Sequence, residues 1–151
     1  MAIWINGFTV YATGLAFRIE GRIGNSAPST QVSAPQLGPL NVGRMTRPHS
    51  NESIQLTLTF QDGTTVTSVG SNQLVPDDPT APWLDGGASS SRLASHADDF
   101  LTPLPPAGPL LVEIAYLHFG ILATRTTVDL SELSSASGNV IRLWRNDTQK
   151  R

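Results

Sequence analysis

The chain contains no cysteine. Disulfides, thiolate nucleophiles and a Cys-ligated structural zinc are therefore excluded, and packing alone must hold the fold together. Charge is also scarce: Asp, Glu, Lys and Arg make up 15% of the residues, against about a quarter in an average soluble protein. So low a share argues against a disordered polyampholyte, a coiled coil or a long-helix protein. Ten Lys plus Arg face twelve Asp plus Glu, for a net charge of −2. No basic stripe emerges, which speaks against a nucleic-acid partner. The one local excess, Arg142, Arg145, Lys150 and Arg151 against Asp147, reads as a solvated tail. No apolar run approaches the roughly 18 residues that a membrane-spanning helix requires. Met1 to Val10 lacks both a basic region and a long apolar stretch, so the expectation is a cytoplasmic protein without membrane contact.

What the chain has in abundance is turn and strand chemistry. Thirteen glycines and eleven prolines in 151 residues imply many reversals. Apolar stretches built from Val, Ile, Leu and Thr favour strands over helices. Leu15, Phe17, Ile19, Gly21 and Ile23 alternate with Ala16, Arg18, Glu20 and Arg22, the period of a half-buried strand. Before it, Asn6-Gly7 separates Ile3-Trp4-Ile5 from Phe8-Thr9-Val10-Tyr11 and predicts a tight hairpin, with Thr13-Gly14 as a bulge in the continuing strand. Ile54, Leu56, Leu58 and Phe60 alternate with polar neighbours, and Asp62-Gly63 turns the chain into Thr64 to Val69. After the rigid turn Leu104-Pro105-Pro106-Ala107-Gly108-Pro109, Leu110, Val112, Ile114 and Tyr116 share a face. A break at His118-Phe119-Gly120 leads to Leu122, Thr124, Thr126, Val128 and Leu130 on the next strand. Asp129 or Ser131 caps a single helical turn through Glu132 and Leu133, and Val140 to Trp144 reads as a last strand or an apolar anchor.

Two stretches break this pattern. Residues 24–50 carry Pro28, Pro35, Pro39 and Pro48, which forbid a continuous ladder but leave room for a short edge strand near Gln31 to Ser33 or Leu40 to Val42. Residues 70–99 are acidic and rich in Gly and Ser, and predict a long mobile loop. The fold class that results is all-β: a single domain over 1–151, an antiparallel β-sandwich of the Ig-like or jelly-roll-like kind, with six to eight strands and long loops at about 24–50 and 70–99.

An ordered set of motifs carries a resemblance: Val10-Tyr11-Ala12-Thr13-Gly14-Leu15-Ala16-Phe17, Phe60-Gln61-Asp62-Gly63, Pro103-Leu104-Pro105-Pro106-Ala107-Gly108-Pro109-Leu110, and Gly120-Ile121 with Thr124-Arg125 and Asp129. Over Val10 to Asp129 the chain resembles an uncharacterised family of small actinobacterial proteins marked by a Tyr-Pro-Thr-Gly-Phe-x-Phe strand, a Phe-x-Asp-Gly turn, a Gly-rich loop and a Leu-Pro-Pro-x-Gly-Pro-Leu turn. Ala12 stands where the family pattern has Pro, Tyr116-Leu117 where it has Trp-Pro, and Ala123 where it has an acidic residue. The resemblance implies structural motifs and no established activity, so no site residue follows from it.

Chemistry-bearing residues are few. His96, Asp98 and Asp99 offer metal-ligand atoms without a metal-site spacing, and Asp77, Asp78 and Asp85 are interrupted by Pro79 and Pro82. No Gly-x-Ser-x-Gly elbow presents a serine, and His49 and His118 lack a partner pattern. Glu113 and Asp129 form a candidate carboxylate pair, although cross-strand pairing of Glu113 with Arg125 is the simpler expectation. Trp4 and Trp144 read as core or terminal anchors, whereas Trp83 sits amid Pro, Asp and Gly with little to bury it. The leading expectation is a non-catalytic interaction or accessory module that binds a protein partner or a second copy through a sheet edge or the 70–99 loop. Trp83, Asp85, Asp98 and Asp99 are its candidate contact residues. No catalytic residue, metal or cofactor is assigned, and activity as an enzyme is not expected. A small-ligand or carbohydrate-binding sandwich is the second reading, and a hydrolase using loop carboxylates and a histidine the third.

Overall fold

In the computed structural model, residues 1–22, 54–68, 78–90 and 94–140 are described. They form eight strands, a 3-10 turn at Leu117–Phe119 and one short α-helix, the strands arranged as two four-stranded antiparallel sheets packed into a sandwich. The first sheet has the order β1 (Ala2–Tyr11), β2 (Gly14–Arg22), β6 (Ala94–Thr102), β5 (Trp83–Ser90). The second has the order β4 (Thr65–Thr67), β3 (Gln55–Thr59), β7 (Pro109–Tyr116), β8 (Ile121–Asp129). One core lies between them. Leu15, Phe17, Ile19, Leu84, Ala97 and Leu101 from the first sheet meet Leu56, Leu58, Val66, Leu110 and Val112 from the second.

The predicted period-2 patterns place these side chains correctly in β2, β3 and β7, where Phe17, Leu58 and Val112 are all buried. The Asp62-Gly63 hairpin forms as expected, with the Thr64 N–H donating to Asp62 Oδ1 at 2.9 Å. At the N-terminus the structure exchanges two features. The hairpin lies at Ala12-Thr13 and the irregularity at Asn6-Gly7, where the pairing with β2 jumps from Ile5↔Ile19 to Phe8↔Phe17. One extra residue sits on β1 there, and Gly7 takes φ +67°, a bulge geometry that glycine adopts without steric cost. The parity of the apolar positions records it: Ile3 and Ile5 are odd, Phe8 and Val10 even, and all four pack against the core. The turn at Ala12-Thr13 is clasped from β6 by Thr102 Oγ1, which donates to the Thr13 carbonyl at 2.9 Å.

The larger correction concerns the stretch 70–99, of which 78–90 and 94–99 are described and 70–77 and 91–93 lie outside the described residues. In place of a mobile loop, residues 83–90 form edge strand β5 and residues 94–102 form β6, an interior strand paired with both β2 and β5. Strand pairing satisfies their backbone groups, and this outweighs a composition poor in apolar side chains. Amide exchange is accordingly expected to be slow at Ala97, Asp99 and Leu101, alongside Leu56, Leu58 and Val112. Exchange at those three β6 amides as fast as at Met1 would contradict the pairing.

Smaller differences follow at the C-terminal end. The helix α1 (Leu133–Gly138) occupies residues expected as loop, and Asp129 accepts from the Ser131 N–H at 2.9 Å rather than capping a helix. A register shift between Ile114 and Tyr116 leaves Leu122 74% exposed instead of on the apolar face. Trp4, expected as an anchor in the core, is exposed on β1 beneath the Arg22 guanidinium, 5.9 Å from its ring. The expected connection at 24–50 with its short edge strand, together with His49, Asp77, Arg92 and Trp144, lies outside the described residues.

Candidate functional site

Alternation along β5 and β6 decides what the four candidate residues can do together. Leu84 and Leu101 are register partners and both are buried, so their neighbours Trp83, Asp85, Phe100 and Thr102 project from the outer surface of the first sheet. Asp98 lies on that outer surface as well. Asp99 points the opposite way, into the sandwich. Trp83, Asp85 and Asp98 thus share a face that Asp99 does not. For the same reason His96, Asp98 and Asp99 do not converge, and no group of three potential metal-ligating side chains is present among the described residues.

The outer face is organised row by row across β1, β2, β6 and β5. Arg18 reaches across to Asp98, its Nε 2.6 Å from Oδ1 and its Nη2 2.9 Å from Oδ2. This bidentate contact holds the Asp98 carboxyl below the ordinary carboxylate range. Beside it, the Glu20 carboxylate accepts from Asn6 Nδ2 at 3.1 Å. At the end of the sheet nearest the β1–β2 turn, the Tyr11 and Phe100 rings meet edge to face with centroids 5.7 Å apart. Gly14 lies beneath them, and a Cβ there would fall 2.6 Å from Phe100 Cζ. Asp85 is the register partner of Phe100, and Trp83 sits one pleat further along β5 opposite Thr102. Asp85 has no hydrogen-bond or ion-pair partner among the described residues. Tyr11, Phe100 and Gly14 were not among the candidates, because only the register between distant strands brings them next to Trp83.

Asp99 is the anomaly of the interior. It is 3% exposed, and neither carboxyl oxygen has a hydrogen-bond partner among the described residues. Its Oδ1 lies over Gly86 of β5, where any Cβ would collide with it. Its register partner on the other side is Phe17. Desolvation, reinforced by the nearby negative charge of Asp98, raises its pKa to about 8. An ionised carboxylate in such surroundings is costly, so the group stays protonated at neutral pH.

The remaining carboxylates serve local structure. Glu113 pairs with Arg125 across β7 and β8, as expected, while Asp129 lies opposite Pro109. The two carboxylates are offset by four residues along the sheet, roughly 13 Å. Asp78 Oδ1 accepts from both the hydroxyl and the N–H of Thr80, at 2.6 and 2.8 Å, which lowers its pKa. No helix among the described residues is long and apolar enough to cross a membrane. Comparison with protein families, with curated proteins and with solved structures finds no match to this chain.

Proposed function

We propose that this protein is a non-catalytic interaction module whose recognition element is the β8 edge and whose partner strand comes from a second copy of the chain. The observation that carries this reading is the exposure of β8. Its six central residues, Leu122-Ala123-Thr124-Arg125-Thr126-Thr127, are exposed in sequence, and from Thr124 to Asp129 the strand pairs in unbroken register with β7. Exposed edges normally carry protective features such as lysine or proline. β8 has neither, and its single central charge, Arg125, is drawn back onto Glu113. A Thr-rich strand that ends its sheet among the described residues suits β-augmentation, in which main-chain hydrogen bonds supply affinity. Antiparallel pairing of two β8 strands about Thr127 sets Arg125 of each copy opposite Asp129 of the other, so the charges in that register are complementary.

Sedimentation of the intact chain over a wide concentration range tests the reading. The expected result is a reversible dimer in the wild type and a monomer in the double variant Leu122→Lys, Thr126→Lys, with an unchanged circular dichroism spectrum. A wild type that remains monomeric throughout, or a double variant that dimerises equally well, would overturn it. No step of this reading requires a cofactor.

A further inference from the structure

We infer that the outer face of the β1-β2-β6-β5 sheet is a binding platform for a neutral, polyhydroxylated ligand, an oligosaccharide or polysaccharide chain. The inference concerns the other sheet and stands independently of the β8 edge. Four aromatic residues project from this one face: Trp4 and Tyr11 from β1, Phe100 from β6 and Trp83 from β5. None of them is buried, although an aromatic ring left on a sheet surface forgoes the burial it would gain in a core.

Three of the four form a row. Tyr11 packs against Phe100 over Gly14, and Trp83 lies on the diagonal from Phe100 in the β5–β6 register, a separation that long side chains span. From β1 to β5 the row crosses three strand spacings, roughly 14 Å. That length suits several linked rings of a chain lying flat, with the apolar faces of its sugars on the aromatic rings.

The polar groups on the face point to the same ligand class. Arg18 and Asp98 neutralise each other, Glu20 is engaged by Asn6, and Arg22 lies over Trp4. Arg18 and Arg22 stand against Glu20, Asp85 and Asp98 on this face, so an anionic ligand finds no excess of positive charge. Hydroxyl groups, which both donate and accept, can bond to such paired groups without disrupting them. Asp85, beside Phe100 and without a partner among the described residues, supplies an acceptor within the aromatic row. Gly87, the register partner of Asp98, has open space above it, so the chain's path across the face is not blocked at β5. A protein partner would need a patch with a desolvated apolar centre, whereas here ion pairs and carboxylates adjoin the rings.

Affinity electrophoresis of the intact protein in gels containing neutral polysaccharides (a mixed-linkage β-glucan, a xylan, a galactomannan, a soluble starch) tests this inference, followed by tryptophan-fluorescence titration with oligosaccharides of any that retards it. Retardation by at least one is expected. Trp83→Ala and Tyr11→Ala should each weaken binding about tenfold or more, and Asp85→Asn should weaken it without altering the fold. Leu122→Lys with Thr126→Lys should leave glycan binding intact, which separates this face from the β8 edge. The inference is overturned if no neutral polysaccharide retards the protein, if only anionic ones do, or if the Trp83 and Tyr11 variants bind as the wild type does. It is equally overturned if Trp83→Ala abolishes binding of a co-purifying protein while glycans do not bind at all.

Discussion

Replacing Asp99 by asparagine is expected to stabilise the protein near neutral pH and to remove most of the pH dependence of its stability between about pH 4 and 8. The sign follows from linkage. In the unfolded chain Asp99 ionises near the ordinary value of 3.8, whereas in the folded protein its pKa is raised to about 8. Between these values the native state holds a proton that the unfolded state has released, so stability falls as pH rises, by about 1.4 kcal/mol per pH unit. The contribution is fully present below the unfolded value and is lost by the time pH has passed through the folded one. At pH 7 the loss is on the order of 4 kcal/mol, a large fraction of the roughly 5–15 kcal/mol of net stability typical of a domain.

Asparagine keeps the shape that fits over Gly86 but has no proton to lose. Its amide is as poorly partnered as the protonated carboxyl, so that cost cancels in the comparison. Exposed carboxylates act with the opposite sign. Asp98, Asp62 and Asp78 all have lowered pKa values, and the small stabilisation they give is lost as pH falls below their range. Maximum stability of the wild type should therefore lie on the acid side of neutrality. Urea unfolding of wild type and Asp99→Asn from pH 4 to 9 measures this directly. A wild type whose stability is flat or rising over pH 5–8, or an asparagine variant less stable at pH 7, would show that Asp99 is hydrated or paired in solution.

The elements legible in the sequence are those whose buried face is made of large side chains. β2, β3 and β7 present Leu15, Phe17, Ile19, Leu56, Leu58, Leu110 and Val112 to the core, and their period of two stands out. β5 and β6 present Leu84, Gly86 and Ala88, and Ser95, Ala97, Asp99 and Leu101. With Gly, Ala, Ser and Asp at inward positions, alternation disappears and the segment reads as an acidic loop. What stabilises these strands is non-local, since β6 is paired on both sides by β2 and β5, and no window of local sequence contains that information. The same blindness affected the candidate site. Local composition groups Trp83, Asp85, Asp98 and Asp99 in one flexible segment. Their division between two faces depends on strand parity, and the meeting of Tyr11 with Phe100 depends on β1 and β6 both flanking β2. β8 was legible as a strand, but the shift between Ile114 and Tyr116 changed which of its residues face inward.

Truncation of core side chains should produce the other large effect, and its pattern tests the inward assignment residue by residue. Phe17→Ala should cost about 3–5 kcal/mol and Leu58→Ala about 2–5 kcal/mol. Val112→Ala, which removes two methyl groups from a filled site, should cost about 2 kcal/mol. Thr57 lies between buried Leu56 and Leu58 and Thr127 beside partly buried Val128, but neither faces the core, and Thr57→Ala and Thr127→Ala should each cost less than about 1 kcal/mol. Chemical denaturation at a single pH ranks the two groups. The reverse ranking would place the strands one residue out of register, because a slip of one turns every side chain to the other face. Phe17 should also depart from additivity. It is the register partner of Asp99 on the same inward face, and its ring is part of what keeps water from the carboxyl. Removing the ring admits water, lowers the cost of ionising Asp99 and thereby reduces the pH slope. The combined Phe17→Ala, Asp99→Asn variant is therefore expected to lie below the stability that simple addition of the two single changes gives at pH 7, because the single Phe17→Ala change already relieves part of the carboxyl's burden. Strict additivity of the two substitutions would show that Phe17 packs in the core without shielding Asp99.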